Sequence, residues 1–380
     1  MSKAFYKDFK LGILGGGQLG RMLIQAAIDY SLHISVLDPD PNAPCKELAT
    51  DFQEGQLTDY QTVYDWGKDK DLITIEIENV NVEALETLEK EGVQVYPQPG
   101  IIKTIQDKRL QKRFYSDNNI PTADYILIEN PEEISNHLSF LPAFQKLGKA
   151  GYDGRGVMKI VGQEDVEKAL PGESLLEKLV DYEKELSVIV GRNANGDTVT
   201  YPVVEMVFHP VHNLVEYLFA PAALSEEQEK AAKKLAVNVI ESLNMVGILA
   251  VEMFLTNSGD ILINEVAPRP HNSGHHTIKA NFTSQYEQHL RAILNLPLGS
   301  SDFSSPSALV NLLGEPGFEG SATYQGIEEV LQQKGVFVHL YGKKFTKPFR
   351  KMGHVTIIEK DMKALREKTD FVKKTLKVIS

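Results

Sequence analysis

The sequence predicts an α/β fold at the N-terminus that passes into α+β architecture, spread over two or three domains. Three observations carry this reading: a strand running through glycines into a helix at Lys10–Tyr30, a strand-rich middle with an Asn-Gly turn, and a length of 380 residues. At ~150 residues per domain, that length gives each unit a core of its own. A hydrophobic fraction of 42% with 24% charged residues excludes a disordered chain.

Lys10–Gly15 is a short apolar strand, Gln18–Tyr30 an amphipathic helical pattern and His33–Leu37 a second strand, together a βαβ unit. Further helix and strand signals at Thr58–Gly67, Asp71–Ile77, Asn81–Lys90 and Val93–Tyr96 extend it into an open, largely parallel sheet that ends near Pro97 and Pro99. The middle reads as antiparallel: strands at Lys159–Val161, Ser174–Glu177, Glu185–Val190 and Thr198–Met206, with Asn195-Gly196 as a hairpin turn. A helix over Ser225–Asn244 precedes two strands, Gly247–Thr256 and Ile261–Val266, around the loop Asn257–Asp260. After Leu296 the chain is strand-rich and closes with a helix from about Asp361.

The formal net charge is −12, which works against tight non-specific binding to nucleic acid or an anionic membrane. An anionic ligand therefore needs a local basic site. Cys45 is the single cysteine, so an intrachain disulfide and a cysteine zinc cluster are both excluded. Met1–Lys10 lacks the apolar stretch of a signal peptide, and no segment approaches the ~20 apolar residues of a membrane span. These features predict a cytoplasmic protein.

Gly15, Gly17 and Gly20 satisfy G-x-G-x-x-G between a strand and a helix, and Asp38 ends the next strand. The motif admits a nicotinamide or flavin dinucleotide, another phosphorylated ligand, or close packing without ligand. Glu76 and Glu78 alternate along a strand end and so share a face, either as ligand contacts or as a solvated edge. Lys146 and Lys149 precede the loop Gly151-Tyr152-Asp153-Gly154-Arg155-Gly156, which suits a cover over a triphosphate or a plain hairpin tip. Lys159 lies inside a predicted strand, which argues against a biotin attachment site.

The hairpin AVEMFLTNSGDILINEVAPRPHNSGHH says most about chemistry. With Asn257–Asp260 as a four-residue loop, Thr256 opposes Ile261 and Glu252 opposes Glu265, both carboxylates on one face. Such a pair is repulsive unless a cation or shared proton compensates, and hard oxygens at that spacing suit Mg²⁺ bridging to phosphates. A one-residue slip would part them. His271, His275 and His276 are interrupted by Pro268, Pro270 and Gly274, which disfavours a helical zinc site. Arg269 is placed to hold a small anion. Lys343, Lys344, Lys347, Arg350 and Lys351 form a basic cluster, either solvated or a phosphate clamp.

Lys146 with GYDGRG, the segment EKLVDYEKELSVIV and the run NEVAPRPHNSGH together resemble the ATP-grasp superfamily. From GGGQLGRM through EIENV and QDK to RKMGHVT the chain is similar, over nearly its whole length, to the 5-(carboxyamino)imidazole ribonucleotide synthase family of purine biosynthesis. The resemblance implies a Rossmann-like domain over 1–104, a two-lobed ATP-grasp domain over 105–297 with a mobile lid at about 118–185, and a small C-terminal domain over 298–380. It implies ATP phosphates on Lys108 and Lys146, a covering loop Gly151–Val157, adenine against Glu177, Lys178, Leu179 and Val180, ribose on Glu185, and Mg²⁺ on Glu252 and Glu265 beside Asn264. Aminoimidazole ribonucleotide would meet Gln18, Leu19, Glu76, Tyr152, Asp153 and Arg155, with its phosphate near Lys343, Arg350 and Lys351. Arg269 and the run His271, Asn272, Ser273 and His275 would flank the reacting carbon.

By the same resemblance, bicarbonate attacks the γ-phosphate of ATP and the resulting carboxyphosphate carboxylates the ribonucleotide's exocyclic amine, in a homodimeric enzyme. Two positions depart from the pattern: Lys108 stands where the family often has Arg, and Phe208 where it has a nucleotide-side histidine, with His209 and His212 following. The competing readings are another ATP-grasp acyl-phosphate ligase (formate-dependent glycinamide ribonucleotide transformylase or biotin carboxylase type), an NAD-dependent dehydrogenase, and a non-catalytic nucleotide-binding regulator.

Overall fold

A computed structural model describes residues 5, 8–149, 156–209 and 214–380. The N-terminal sheet has five parallel strands in the order Asp51–Glu54, His33–Asp38, Lys10–Leu14, Leu72–Ile75, Gln94–Val95. Leu11, Ile13 and Leu14 of its central strand are fully buried because helices cover both faces of the sheet, as a parallel sheet requires. The helix Gln18–Ile28 presents Leu19, Met22, Leu23 and Ile24 to the same core as Tyr286, Leu290 and Ile293 of the helix Gln285–Ile293. This shared core fixes the N-terminal sheet against the rest of the molecule.

The central sheet runs in the order Ile261–Ala267, Gly247–Thr256, Tyr182–Arg192, Val204–Phe208, Val215–Ala220, Ser307–Leu313, Lys351–Ile358, Val336–Leu340, with Thr198–Thr200 paired to Tyr182–Arg192. Period-2 alternation sorts its side chains. Leu186, Val188, Val251 and Met253 pack with Ala232, Ala236, Val239 and Ile240 of the helix Glu226–Ser242, leaving Glu185, Ser187 and Glu252 on the other face. The capping box Ser225/Gln228 starts that helix. The strands after residue 298 extend this same sheet, which carries Lys351 to the face of Glu252; their other side is closed by the helix Met362–Thr375.

A separate four-stranded antiparallel sheet, in the order Tyr125–Ile128, Ser174–Lys178, Ala143–Leu147, Val157–Ile160, has its own small core around Ile128, Ile134, Ile160 and Leu176. The helix Lys108–Asp117 joins the pieces. Its cap Asp107 accepts from the Arg109 N–H, and the Lys108 N–H donates to Gly148 O just past the strand Ala143–Leu147.

Two local expectations change. The strand predicted over Asp71–Ile77 stops at Ile75, so Glu76 and Glu78 lie in the bend after it and do not share a strand face. The central hairpin has a five-residue loop, with Leu255 opposite Ile261 instead of Thr256, and a bulge at Asn264 restores the pairing so that Glu252 still opposes Glu265. Thr256 leaves the ladder because its hydroxyl and N–H close the loop onto Asp260.

Candidate active site

The glycine turn is closed by the protein itself. Glu76 accepts from the N–H groups of Gly17 at 2.9 Å, Leu19 at 3.1 Å and Gly20 at 3.0 Å, so a carboxylate sits where a dinucleotide's pyrophosphate would lie. Asp38 takes the Gly16 N–H at 2.6 Å. A Cβ on Gly17 would stand 2.5 Å from Glu76 Oε1, and one on Gly15, whose φ is +100°, 2.5 Å from Glu76 Cγ. These glycines therefore make room for Glu76, and the dinucleotide reading of the motif fails. Burial raises the Glu76 carboxyl above its ordinary range, against the pull of the Gly20 and Gly17 N–H groups.

Around the central hairpin the carboxylates remain available. Lys108 Nζ lies 2.7 Å from Glu265 Oε2, and Glu252 Oε1 faces His271 Nε2 at 3.5 Å. The Lys108 charge holds Glu265 well below the usual range, whereas burial and then the facing Glu265 push Glu252 up. Burial and the Arg269 charge lower His271 to about 3, so its imidazole is neutral. The Ser273 N–H donates to His271 Nδ1, which leaves the proton on Nε2, toward Glu252.

Arg269 Nε pairs with Glu78 Oε1 at 2.9 Å, and Gln106 pins the bend by donating to the carbonyls of Glu78 and Val80. Asn272 and Asn311 exchange amide hydrogen bonds, and Ser273 Oγ meets Ser187 Oγ at 2.8 Å, which ties the loop to the central sheet. His275 bonds Tyr286 Oη through Nδ1, and His276 bonds Ser273 O. Among the described residues no group of three or more His, Cys, Asp and Glu is arranged to hold a metal.

Lys146 lies 2.5 Å from Glu177 Oε1 and 3.4 Å from Asn264 Oδ1, while Lys112 lies 2.6 Å from Glu177 Oε2. Glu177, expected against adenine, thus has its side chain committed to two lysines, and Lys178 donates to Phe140 O. Leu179 and Val180, half-buried, connect the strand Ser174–Lys178 to the central sheet. Glu185 accepts from Tyr182 Oη at 2.7 Å and shares the face of Glu252; its neighbour Tyr182 stacks on Phe254. Gly156 O accepts the Leu147 N–H, and Val157 pairs with Lys146 in the adjoining strand. Gly151, Tyr152, Asp153, Gly154 and Arg155 lie outside the described residues, as does His212. His209 packs beside Phe349. Lys343 donates to Lys351 O and Arg350 to Phe345 O, so the basic cluster is internally braced; the Lys351 charge acts on both Glu252 and His271. Gln18 opens the helix whose first N–H groups Glu76 binds.

Lys112, Ser187 and Asn311 escape the sequence reading, which singles out Glu78 but not its pairing with Arg269. Lys112 had one available signal, since it stands one helical turn after Lys108 on the same face.

Family models match the ribonucleotide synthetase preATP-grasp domain over residues 9–106, the ATP-grasp domain over 113–286 and the phosphoribosylaminoimidazole carboxylase C-terminal domain over 307–368. The N5-carboxyaminoimidazole ribonucleotide synthase of Bacillus subtilis is 36% identical over 94% of this chain and 94% of its own. The chain belongs to the N5-carboxyaminoimidazole ribonucleotide synthase family. The solved synthetase from Thermotoga maritima superposes with a TM-score of 0.91 at 43% identity, covering 98% of this chain and 99% of that one. A synthase from Aspergillus clavatus, solved with ADP and 5-aminoimidazole ribonucleotide, has a TM-score of 0.86 at 31% identity over 97% and 98% of the two chains. The phosphoribosylaminoimidazole carboxylase of Candida glabrata is 38% identical over 95% of this chain, which spans 65% of that longer protein. This chain carries the ATP-grasp fold with a preATP-grasp N-terminal domain and a small C-terminal unit.

Proposed function

We propose that this chain catalyses the ATP- and bicarbonate-dependent carboxylation of 5-aminoimidazole ribonucleotide on its exocyclic amine, giving 5-carboxyaminoimidazole ribonucleotide, ADP and phosphate. The observation that carries the reading is the convergence of Lys108, Lys146, Glu252 and Glu265 at the junction of the two sheets, with Arg269 and His271 beside them. Three cations and two facing carboxylates fit the phosphates of a nucleotide and the anions derived from it.

Glu252 and Glu265, with Asn264 near, would hold Mg²⁺: they are hard oxygen donors, and their mutual repulsion is what a divalent cation relieves. Bound there, the ion would neutralise phosphate charge as the terminal phosphoryl group transfers.

The chain's own groups do the rest. Lys146 and Lys108 orient the ATP phosphates, and Glu185 accepts from the ribose hydroxyls. Bicarbonate oxygen attacks the γ-phosphorus in line, the bond to the β-phosphate oxygen breaks, and ADP leaves. Arg269, held by Glu78, binds the bicarbonate and then the carboxyphosphate. The amine of the ribonucleotide bonds to the carboxyl carbon, phosphate departs, and the amine loses one proton. A neutral His271 beside Glu252 suits a site that carries an acyl phosphate, because it neither repels the lysines nor competes as a cation. Closure of the two sheets on the nucleotide excludes the water that would hydrolyse that intermediate. Gln18 and Leu19 meet the ribonucleotide at the turn that Glu76 braces, and Lys343, Arg350 and Lys351 hold its phosphate. A homodimer in a cytoplasmic setting completes the reading on the strength of the family resemblance. No described helix is long and apolar enough to cross a membrane.

The test is single-turnover product analysis with labelled bicarbonate, ATP and aminoimidazole ribonucleotide. Labelled carboxyaminoimidazole ribonucleotide with matching ADP is expected. Equal ADP release with formate and glycinamide ribonucleotide would transfer the chain to a different ligase chemistry.

A further inference from the structure

Two buried groups behind the phosphate lysines have no task in the reaction as described. The Lys112 side chain is 4% exposed and that of Glu177 is 4% exposed, while Lys146 and Lys108 keep 15% and 21%. Lys112 is therefore the lysine that does not reach the cleft. Each oxygen of Glu177 takes one ammonium, Oε1 from Lys146 and Oε2 from Lys112. Lys112 also donates to Thr122 Oγ1, which donates in turn to Ile263 O at 2.8 Å. Ile263 adjoins Asn264, whose Oδ1 faces Lys146. The contacts close into a ring that runs from the lid sheet through the helix Lys108–Asp117 to the carboxylate hairpin and back.

We propose that Lys112 is a positioning residue that frees Lys146 for the nucleotide. The inference rests on the reading that Lys146 binds ATP phosphate. To do so, Lys146 must loosen its contact with Glu177. A buried carboxylate left without a cation is strongly unfavourable, so Lys146 would be held back if it were the sole cation on Glu177. Lys112 stays on the other oxygen and neutralises Glu177 whichever way Lys146 turns. Through Thr122 it also sets the distance between the lid lysine and the hairpin that carries Glu265.

The experiment measures ATP affinity by calorimetric titration, and KM for each substrate, in the full chain. Lys112→Met should weaken ATP binding about 10-fold or more, with a much smaller change in the ribonucleotide KM. Lys112→Arg, which keeps the charge, should stay within about 3-fold of wild type. Adding Glu177→Gln to Lys112→Met should recover most of the ATP affinity, because the carboxylate that captures Lys146 is gone. A Lys112→Met protein that loses both substrates equally, or a double variant no better than the single one, overturns the proposal in favour of plain core packing. If Lys112→Met alone fails to fold, Lys112→Arg and the charge-neutral double variant still decide it. Lys146→Met is the separate control: unchanged ATP affinity in that variant would overturn the phosphate reading itself, whereas weakened binding there with a silent Lys112→Met removes only the present inference.

Discussion

The glycine turn of the N-terminal sheet and the hairpin of the central sheet solve opposite electrostatic problems with the same residue. At the turn, Glu76 satisfies three backbone donors and fills the space the glycines leave, so those donors need no pyrophosphate. At the hairpin, Glu252 and Glu265 face each other, Glu265 against Lys108 at 2.7 Å and Glu252 against the neutral His271, so their repulsion leaves room for a cation from outside. A motif's spacing reports that an anion is wanted; whether the anion is a ligand or a side chain depends on what the fold brings opposite.

The sharpest way to break this contrast is at the open site. Glu265→Gln should lower the rate of ADP release by about 10³-fold while leaving the melting temperature nearly unchanged, since the side chain is 45% exposed. A large loss of stability with modest kinetics would mean that the hairpin, like the turn, is structural. The converse holds at the closed site. Glu76→Gln replaces one acceptor oxygen with a donor against N–H groups, and should cost about 2 kcal/mol of stability, read by denaturant unfolding. A stable Glu76→Gln with defective catalysis would give Glu76 itself a direct substrate role.

Acid should affect the molecule through the loop that flanks the open site and through the helix Gln285–Ile293 behind it. His271 and His289 are lowered to about 3 and His276 to about 4, chiefly by burial. Their neutral forms are favoured in the fold, so the stability they contribute is complete above the unfolded value near 6.5 and is lost as pH falls from there toward 4. Each pH unit in that window costs about 1.4 kcal/mol per such imidazole. Thermal melts from pH 7.5 to 5 should hold level to about the unfolded histidine value and then fall, and a flat profile throughout would mean these rings gain protons in place. The smallest effect belongs to the basic cluster. Lys343→Met with Arg350→Met should raise the ribonucleotide KM about 5-fold and the ATP KM less; the reverse order would move the cluster to the nucleotide.

Much of the site was legible in the chain. The alternation of Gly247–Thr256 and Ile261–Ala267 places Glu252 and Glu265 on one face, because side-chain direction along a strand is a local property. The loop is one residue longer than the four the turn signal predicts, and the bulge at Asn264 offsets it, so the carboxylates pair in either case. A bulge leaves no mark in hydropathy, which is why the sequence could not distinguish the two routes to the same register.

What the residues determined by themselves was which groups stand on which face of each strand and which turns break the helices, since both follow from backbone geometry within a few residues. What only the tertiary structure decided was partnership at a distance: Glu76 in the helix N-terminus, Glu78 on Arg269, and Glu177 between Lys112 and Lys146. A buried charge is stable only beside its counter-charge, and which counter-charge arrives is set by how three separate sheets pack.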